Sequence, residues 1–252
     1  MSEILDLLAV IGRLLRAENV LILCHKNPDG DTIGSAAALM HALRRLGKEA
    51  AVLCADPIPS RYSYMEIELF QGQFEPGYVV AVDVASIQLF GDALAEYLDR
   101  IDLCIDHHGS NSGYADALLL DAQAAATCEI MYDIISAMNV EITPCIARCL
   151  YTGLSTDTGC FLFSNTTVKS HQLAAKLMEA GVDVAELNMI LFESKSKPVW
   201  PSSAPRWKIW NTTLRTAAPS CRSPASRSRQ AAWQPTSWRT LPACPARSRA
   251  CR

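Results

Sequence analysis

The sequence predicts an α/β fold, a parallel β-sheet of about five strands with helices on both faces, and three observations predict it. Short apolar runs at residues 20–24, 50–54, 78–82 and 103–105 alternate with helical patterns of ten to fifteen residues, the signature of βαβ units. Three of these runs end on acids or histidines: His25 with Asp29 and Asp31, then Asp83, then Asp106-His107-His108. Asn27-Pro28-Asp29-Gly30 is a strong turn that passes from the first run into a helix. All three clusters then share the carboxyl edge of one sheet, where open α/β sheets place their ligands.

The elements follow in order. Ser2 is expected to cap a first helix with apolar positions Ile4, Leu5, Leu8, Ile11 and Leu15. Strand one, Asn19 to Cys24, delivers the acidic turn. A helix from Thr32 to about Leu46 buries Ala36, Leu39, Met40 and Leu43 and stops at Gly47, as a C-cap glycine would stop it. Gly34 and Ser35 in its first turn suit either the approach of a phosphate to free backbone N–H groups or close packing on the sheet. Ala50 to Cys54 is a second strand, and Pro57 to Gln73 a polar, aromatic-bearing connection without assignable chemistry. Tyr78 to Val82 is the third strand, Ile87 to Leu98 a helix, Leu103 to Ile105 the fourth strand, and Leu118 to Leu120 a short fifth. Ala124 to Met138 and Pro144 to Leu154 are helical by pattern, the second with proline in its first turn. Asp157 is expected in the polar, glycine-ended turn that follows. Val168 to Ala180 and Val184 to Phe192 close the interpretable part as helices.

Histidine beside several carboxylates suits a divalent cation of the Mn2+ or Mg2+ kind, and two aspartates on one turn can each face a different ion. Two rival readings of this turn fail. An EF-hand loop needs glycine where Thr32 stands and a bidentate glutamate where Ala38 stands. A Walker loop needs a Gly-Lys-Ser/Thr run, which does not follow. Three of the five histidines fall in the clusters, whereas His41 and His171 lie on helical stretches and read as surface or packing residues.

The net charge of −3 averages two unlike pieces. Residues 1–193 hold 26 acidic against 11 basic residues, a net of −15, and residues 194–252 hold 12 basic residues and no acidic one. All five tryptophans lie beyond Glu193, yet no glycine occurs after Gly181. We therefore expect a domain over 1–193 and a basic low-order tail over 194–252. The Arg, Ser, Pro, Ala, Cys and Trp bias of that tail reads as an out-of-frame replacement of a second domain. A nucleic-acid-gripping arm is the competing reading of the same charge.

The ten cysteines form no disulfide framework: Cys24, Cys54 and Cys104 sit in apolar runs, and Cys145 and Cys149 have no histidine or cysteine pair nearby in sequence to complete a zinc set. A reduced, cytoplasmic setting is expected. The acidic start, MSEILDLLAVIGRLL, reads as neither a signal peptide nor a membrane span.

Four ordered motifs, HKNPDGDTIGS, VDVAS, IDHHGSN and STDTGCF, resemble those of the DHH phosphoesterase family over about Val20 to Asn165. Within it, the NPDGD form looks most like the bacterial oligoribonucleases that also dephosphorylate 3′-phosphoadenosine 5′-phosphate, with manganese-dependent inorganic pyrophosphatases a weaker match. Cyclic dinucleotide phosphodiesterase activity is a further alternative. The resemblance implies two divalent cations, Mn2+ before Mg2+. One would be held by His25, Asp29 and Asp83, the other by Asp31, Asp83, His107 and Asp157. It makes His108 a phosphate contact or proton donor and Asp106 the group that orients a neighbouring histidine, with Asn27 and Thr158 in support. Short RNA or a nucleotide is the implied substrate. Family members of this type continue into a second domain with a glycine-rich, histidine-containing motif. Nothing after Glu193 matches it, so a weak or silent hydrolase is expected.

Overall fold

The computed structural model describes residues 2–193, which belong to one compact unit. The expected basic tail and its out-of-frame origin lie outside the described residues. Strands β1 (Glu3–Ile4), β2 (Val20–Leu23), β3 (Ala50–Leu53), β4 (Tyr78–Val82), β5 (Leu103–Asp106) and β6 (Ala117–Leu120) form one sheet in the order β1-β6-β5-β4-β2-β3. Every pairing is parallel. Parallel strands need covered faces, which is why Val20–Leu23 and Leu103–Asp106 are buried along their whole length.

One face carries the α-helices: α1 (Leu7–Arg16), α2 (Gly30–Arg45), α3 (Thr127–Ala137), α4 (Pro144–Asp157) and α5 (Val168–Glu179). Their apolar sides meet Val20, Ile22, Val80, Val82, Leu103 and Ile105 from alternate strand positions in the main core. On the other face Leu21, Leu23, Val79, Ala81 and Cys104 pack under Phe90 and Leu94, which belong to a stretch of 3-10 turns over 87–100. A short α6 (Val184–Asn188) and a π turn at Met189–Glu193 end the described chain.

Four expectations on individual elements need correction. The sheet has a sixth strand, β1, two residues long and paired with β6; so short a strand shows no alternation in sequence. Its presence moves the first helix cap from Ser2 to Asp6, whose side chain accepts from the Ala9 N–H at 2.8 Å, and leaves Ile4 and Leu8 exposed. The expected helix over 87–98 is instead two 3-10 stretches, Ile87–Leu89 and Asp92–Arg100, separated by Gly91 at φ +80°. Helix α4 runs on to Asp157, and Thr156 and Thr158 turn their hydroxyls back onto the Thr152 and Leu154 carbonyls at 2.9 and 2.6 Å instead of making a turn.

The chain reverses its direction of travel across the sheet at β2, which pairs with β3 on one side and β4 on the other. A crevice at the carboxyl ends of β2 and β4 follows from that reversal. Helices α2 and α4 cross close behind it. An added Cβ at Gly34 would sit 2.5 Å from the Cys149 carbonyl oxygen, so this glycine serves helix packing.

Candidate metal centre

The turn after β2 sets the first three groups. Asn27 takes φ +52°, and its N–H donates to Asp56 at 2.7 Å. Asp29 then caps α2, accepting from the Asp31 and Thr32 N–H groups at 3.0 and 3.2 Å. His25 donates from Nδ1 to the Lys26 carbonyl at 2.8 Å. A carbonyl only accepts, so Nδ1 carries a proton and Nε2 is the ring atom turned into the site. Nε2 faces Asp29 Oδ1 at 3.6 Å and Asp83 Oδ2 at 3.8 Å.

Asp83 lies one residue past β4 with φ +60°, a backbone conformation that costs an aspartate on the order of 1–3 kcal/mol. Its N–H donates to the Ile105 carbonyl at 2.9 Å, and its Oδ1 accepts from the Thr127 hydroxyl at 2.9 Å. Held this way and only 3% exposed, its carboxylate faces both imidazoles, with Oδ1 3.6 Å from His107 Nε2.

Asp31 is fully buried at the start of α3, accepting from the Thr127 and Cys128 N–H groups at 2.6 and 3.0 Å. Those donors belong to the positive end of the helix and favour the ionised carboxylate. His107 donates from Nδ1 to the Ala124 carbonyl at 3.2 Å, which turns Nε2 into the carboxylate cluster. There it lies 3.3 Å from Asp157 Oδ2 and 4.0 Å from Asp31 Oδ2. This Nε2 is buried without a hydrogen-bond partner, a state that buried polar atoms rarely keep without a ligand.

His108 stands at the rim, 44% exposed. Its Nδ1 bonds Asp106 Oδ1 at 2.8 Å, and Asp106 Oδ2 accepts from the Asn111 amide at 2.7 Å. The Asp106 bond raises the His108 pKa against the opposing effect of burial. Asp106 itself is held below its ordinary value: burial pushes it up, and the bonds from His108 and Asn111 outweigh that.

The carboxylates repel one another in a confined space. Burial first, then the charges of Asp31, Asp29 and Asp157, push Asp83 well above the usual carboxylate range. Burial also raises Asp31 in spite of His107 and the two N–H donors. Asp157 is pushed up to about 8 by burial and then by Asp31 and Asp29. Asp29 goes the other way, its pairing with His25 outweighing burial. Removing protons from such a cluster requires positive charge in its midst, and carboxylate oxygens with two imidazole nitrogens suit divalent cations of the manganese or magnesium class.

All eight candidate residues therefore meet at one end of the sheet. His25, Asp29 and Asp83 form one group whose donor atoms all lie within 4.8 Å of one another, and Asp31, His107 and Asp157 form a second. Asp83 with His107 and His108 makes a third and joins the other two. Thr158 is not brought in: its hydroxyl is taken by the end of α4 and by the Phe161 N–H at 3.1 Å. Sequence reasoning missed Thr127 and Asn111, the groups that aim Asp83 and Asp106. Thr127 sits in an alanine-rich stretch whose pattern says only helix.

Residues 19–154 match the DHH family, N-terminal domain. The chain is 36% identical over 184 residues to the "Bifunctional oligoribonuclease and PAP phosphatase NrnA" of Thermus thermophilus, covering 71% of this chain and 56% of that protein. It is 30% identical over 180 residues to an Enterococcus faecalis protein named "Probable manganese-dependent inorganic pyrophosphatase", covering 68% of this chain and 56% of that one. Among solved structures, an exopolyphosphatase-related protein from Bacteroides fragilis superposes with a TM-score of 0.69 at 22% identity, over 76% of this chain and 61% of that chain, a likeness of fold. The chain thus spans little more than half the length of the curated relatives it matches.

Proposed function

We propose that this chain, which belongs to the DHH family, carries a two-cation phosphoesterase centre that hydrolyses short oligoribonucleotides from one end and removes the 3′-phosphate of 3′-phosphoadenosine 5′-phosphate. The observation that carries the reading is the buried donor set around Asp83, with His107 Nε2 aimed into it and without a hydrogen-bond partner. His25, Asp29 and Asp83 would hold one cation, and Asp31, Asp83, His107 and Asp157 the other, manganese being the first choice. Such a pair supplies charge neutralisation on the phosphoryl oxygens and a water acidic enough to attack at neutral pH.

The protein's own groups do the rest. Thr127 holds the Asp83 carboxylate, through its bond to Oδ1, in line with both halves of the site. His108, whose protonated form is favoured by the bond to Asp106, gives a proton to the departing oxygen or holds a phosphate oxygen at the rim. Nucleotide substrates and seven unpaired cysteines among the described residues accord with a reducing, cytoplasmic setting. No described helix is long and apolar enough to cross a membrane.

The test is release of mononucleotides from a diribonucleotide, and of phosphate from 3′-phosphoadenosine 5′-phosphate, in Mn2+. Both activities should disappear in Asp83→Ala and in excess chelator; turnover indifferent to chelator contradicts the proposal. Inorganic pyrophosphate belongs in the same assay, because the 30% identity to the Enterococcus protein favours it as a second reading. Faster cleavage of pyrophosphate than of either nucleotide would replace the first reading with the second.

A further inference from the structure

A second cluster of reactive groups lies away from the carboxylates, between α2, α4 and the 3-10 turn at Ser60–Met65. We infer that Cys145 is a reactive thiolate, a modification site for hydroperoxides and soft electrophiles, built by His41, the Met65 carbonyl and the first turn of α4. His41 Nε2 lies 2.7 Å from the Met65 carbonyl oxygen and 3.4 Å from Cys145 Sγ. The carbonyl only accepts, so Nε2 carries the proton, and the sulfur faces a donor. A sulfur facing a donor is best as a thiolate.

The backbone adds to this. Thr143 caps α4, Pro144 is its first residue and Cys145 its second, so the sulfur sits at the positive end of a 14-residue helix. The groups facing it are His41 from α2 and Cys149 and Arg148 from α4, with Glu66 acting on His41 from the 3-10 turn. The Cys149 thiol and His41 hold Cys145 down to about 4 against the effect of burial, while Cys149, fully buried, keeps its proton. Cys145 is partly buried, whereas Cys149 is fully so, and of the two it is the one that keeps exposure to reagents. Zinc is the rival occupant, because the three donor atoms lie within 4.8 Å of one another. A cation, however, would need the Nε2 lone pair that the bond to Met65 shows to be occupied by a proton.

With hydrogen peroxide the step balances. The thiolate sulfur attacks one peroxide oxygen, an S–O bond forms and the O–O bond breaks. Sulfur loses two electrons to become sulfenic acid, and the departing hydroxide takes a proton from solvent to leave as water.

The test is the rate of iodoacetamide alkylation at Cys145 in the full chain, followed by peptide mass spectrometry across pH. The rate is expected to change less than about threefold between pH 5.5 and 8.5, where a thiol of ordinary pKa rises several hundred-fold. His41→Phe should restore a rise of at least about tenfold, and peroxide followed by dimedone should label Cys145 in the wild-type chain. An inflection near pH 8.5 in the wild-type chain overturns the inference, and needs no variant to fold. Zinc bound one per chain, with Cys145 labelled only after chelation, overturns it in favour of a metal site.

Discussion

The roles proposed for Asp83 and His108 are different, so variants at the two positions should fail differently. Asp83→Asn keeps the shape but removes a charge shared by both halves of the site, so manganese stoichiometry and hydrolysis should both collapse. His108→Gln should leave manganese binding intact while kcat falls about 10²–10⁴-fold, the range expected for a lost acid or base. Equilibrium dialysis beside initial rates separates the two; equal loss of metal in both variants would remove His108 from its rim role. The pH profile gives the sign. The bond to Asp106 raises His108 above 6.5, so a His108 acid loses activity on the alkaline side, and Asp106→Asn should move that limb to lower pH. An unmoved limb would separate Asp106 from the titration. These residues were legible in the sequence because each lies within two or three positions of another ligand or at a strand end. Thr127 and Asn111 were not, since their function comes only from contacts 44 and 5 residues away in sequence.

At the scale of elements, the crossing of α2 and α4 keeps Asp31 and Asp157 in one site. An added Cβ at Gly153 would meet Asp31 Oδ1 at 2.5 Å, and one at Gly34 would meet backbone of α4. Gly34→Ala should therefore cost about 1–3 kcal/mol by overpacking, read as a lower urea midpoint. Gly153→Ala should in addition weaken metal binding, because the carboxylate it displaces is a proposed donor; unchanged affinity would show that Asp31 tolerates displacement. The parallel strands were readable from their apolar runs and the helices from their spacing. Helix ends were not: threonines that look like turn residues extended α4 by three positions, and Gly91 divided what reads as one amphipathic helix. The approach of His41 to Cys145, 104 residues apart, is a product of this same crossing and is invisible to local pattern.

For the whole molecule, the carboxylate cluster links stability to pH and metal. Asp31, Asp83 and Asp157 have folded pKa values above the unfolded value of 3.8, so the folded state binds more protons between about pH 4 and about 8. Stability without metal should therefore fall as pH rises through that window. Asp29, with a lowered pKa, contributes in the opposite sense, losing its stabilisation as pH falls. Mn2+ at about 100 times Kd should restore about 2.7 kcal/mol per site at pH 8, on the order of 5–10 °C in Tm. Thermal unfolding with and without Mn2+ checks this; a metal-free Tm that climbs towards pH 8 and ignores manganese would contradict it.

Two cations sharing Asp83 at one sheet edge, as proposed, would lie about 3.5–4 Å apart and couple magnetically, so electron paramagnetic resonance of the manganese-loaded chain tests the proposal most directly. Two Mn2+ per chain are expected, with a spin-coupled spectrum that is lost in Asp83→Asn. A six-line spectrum of isolated ions at full loading, or saturation at a single ion, would contradict it.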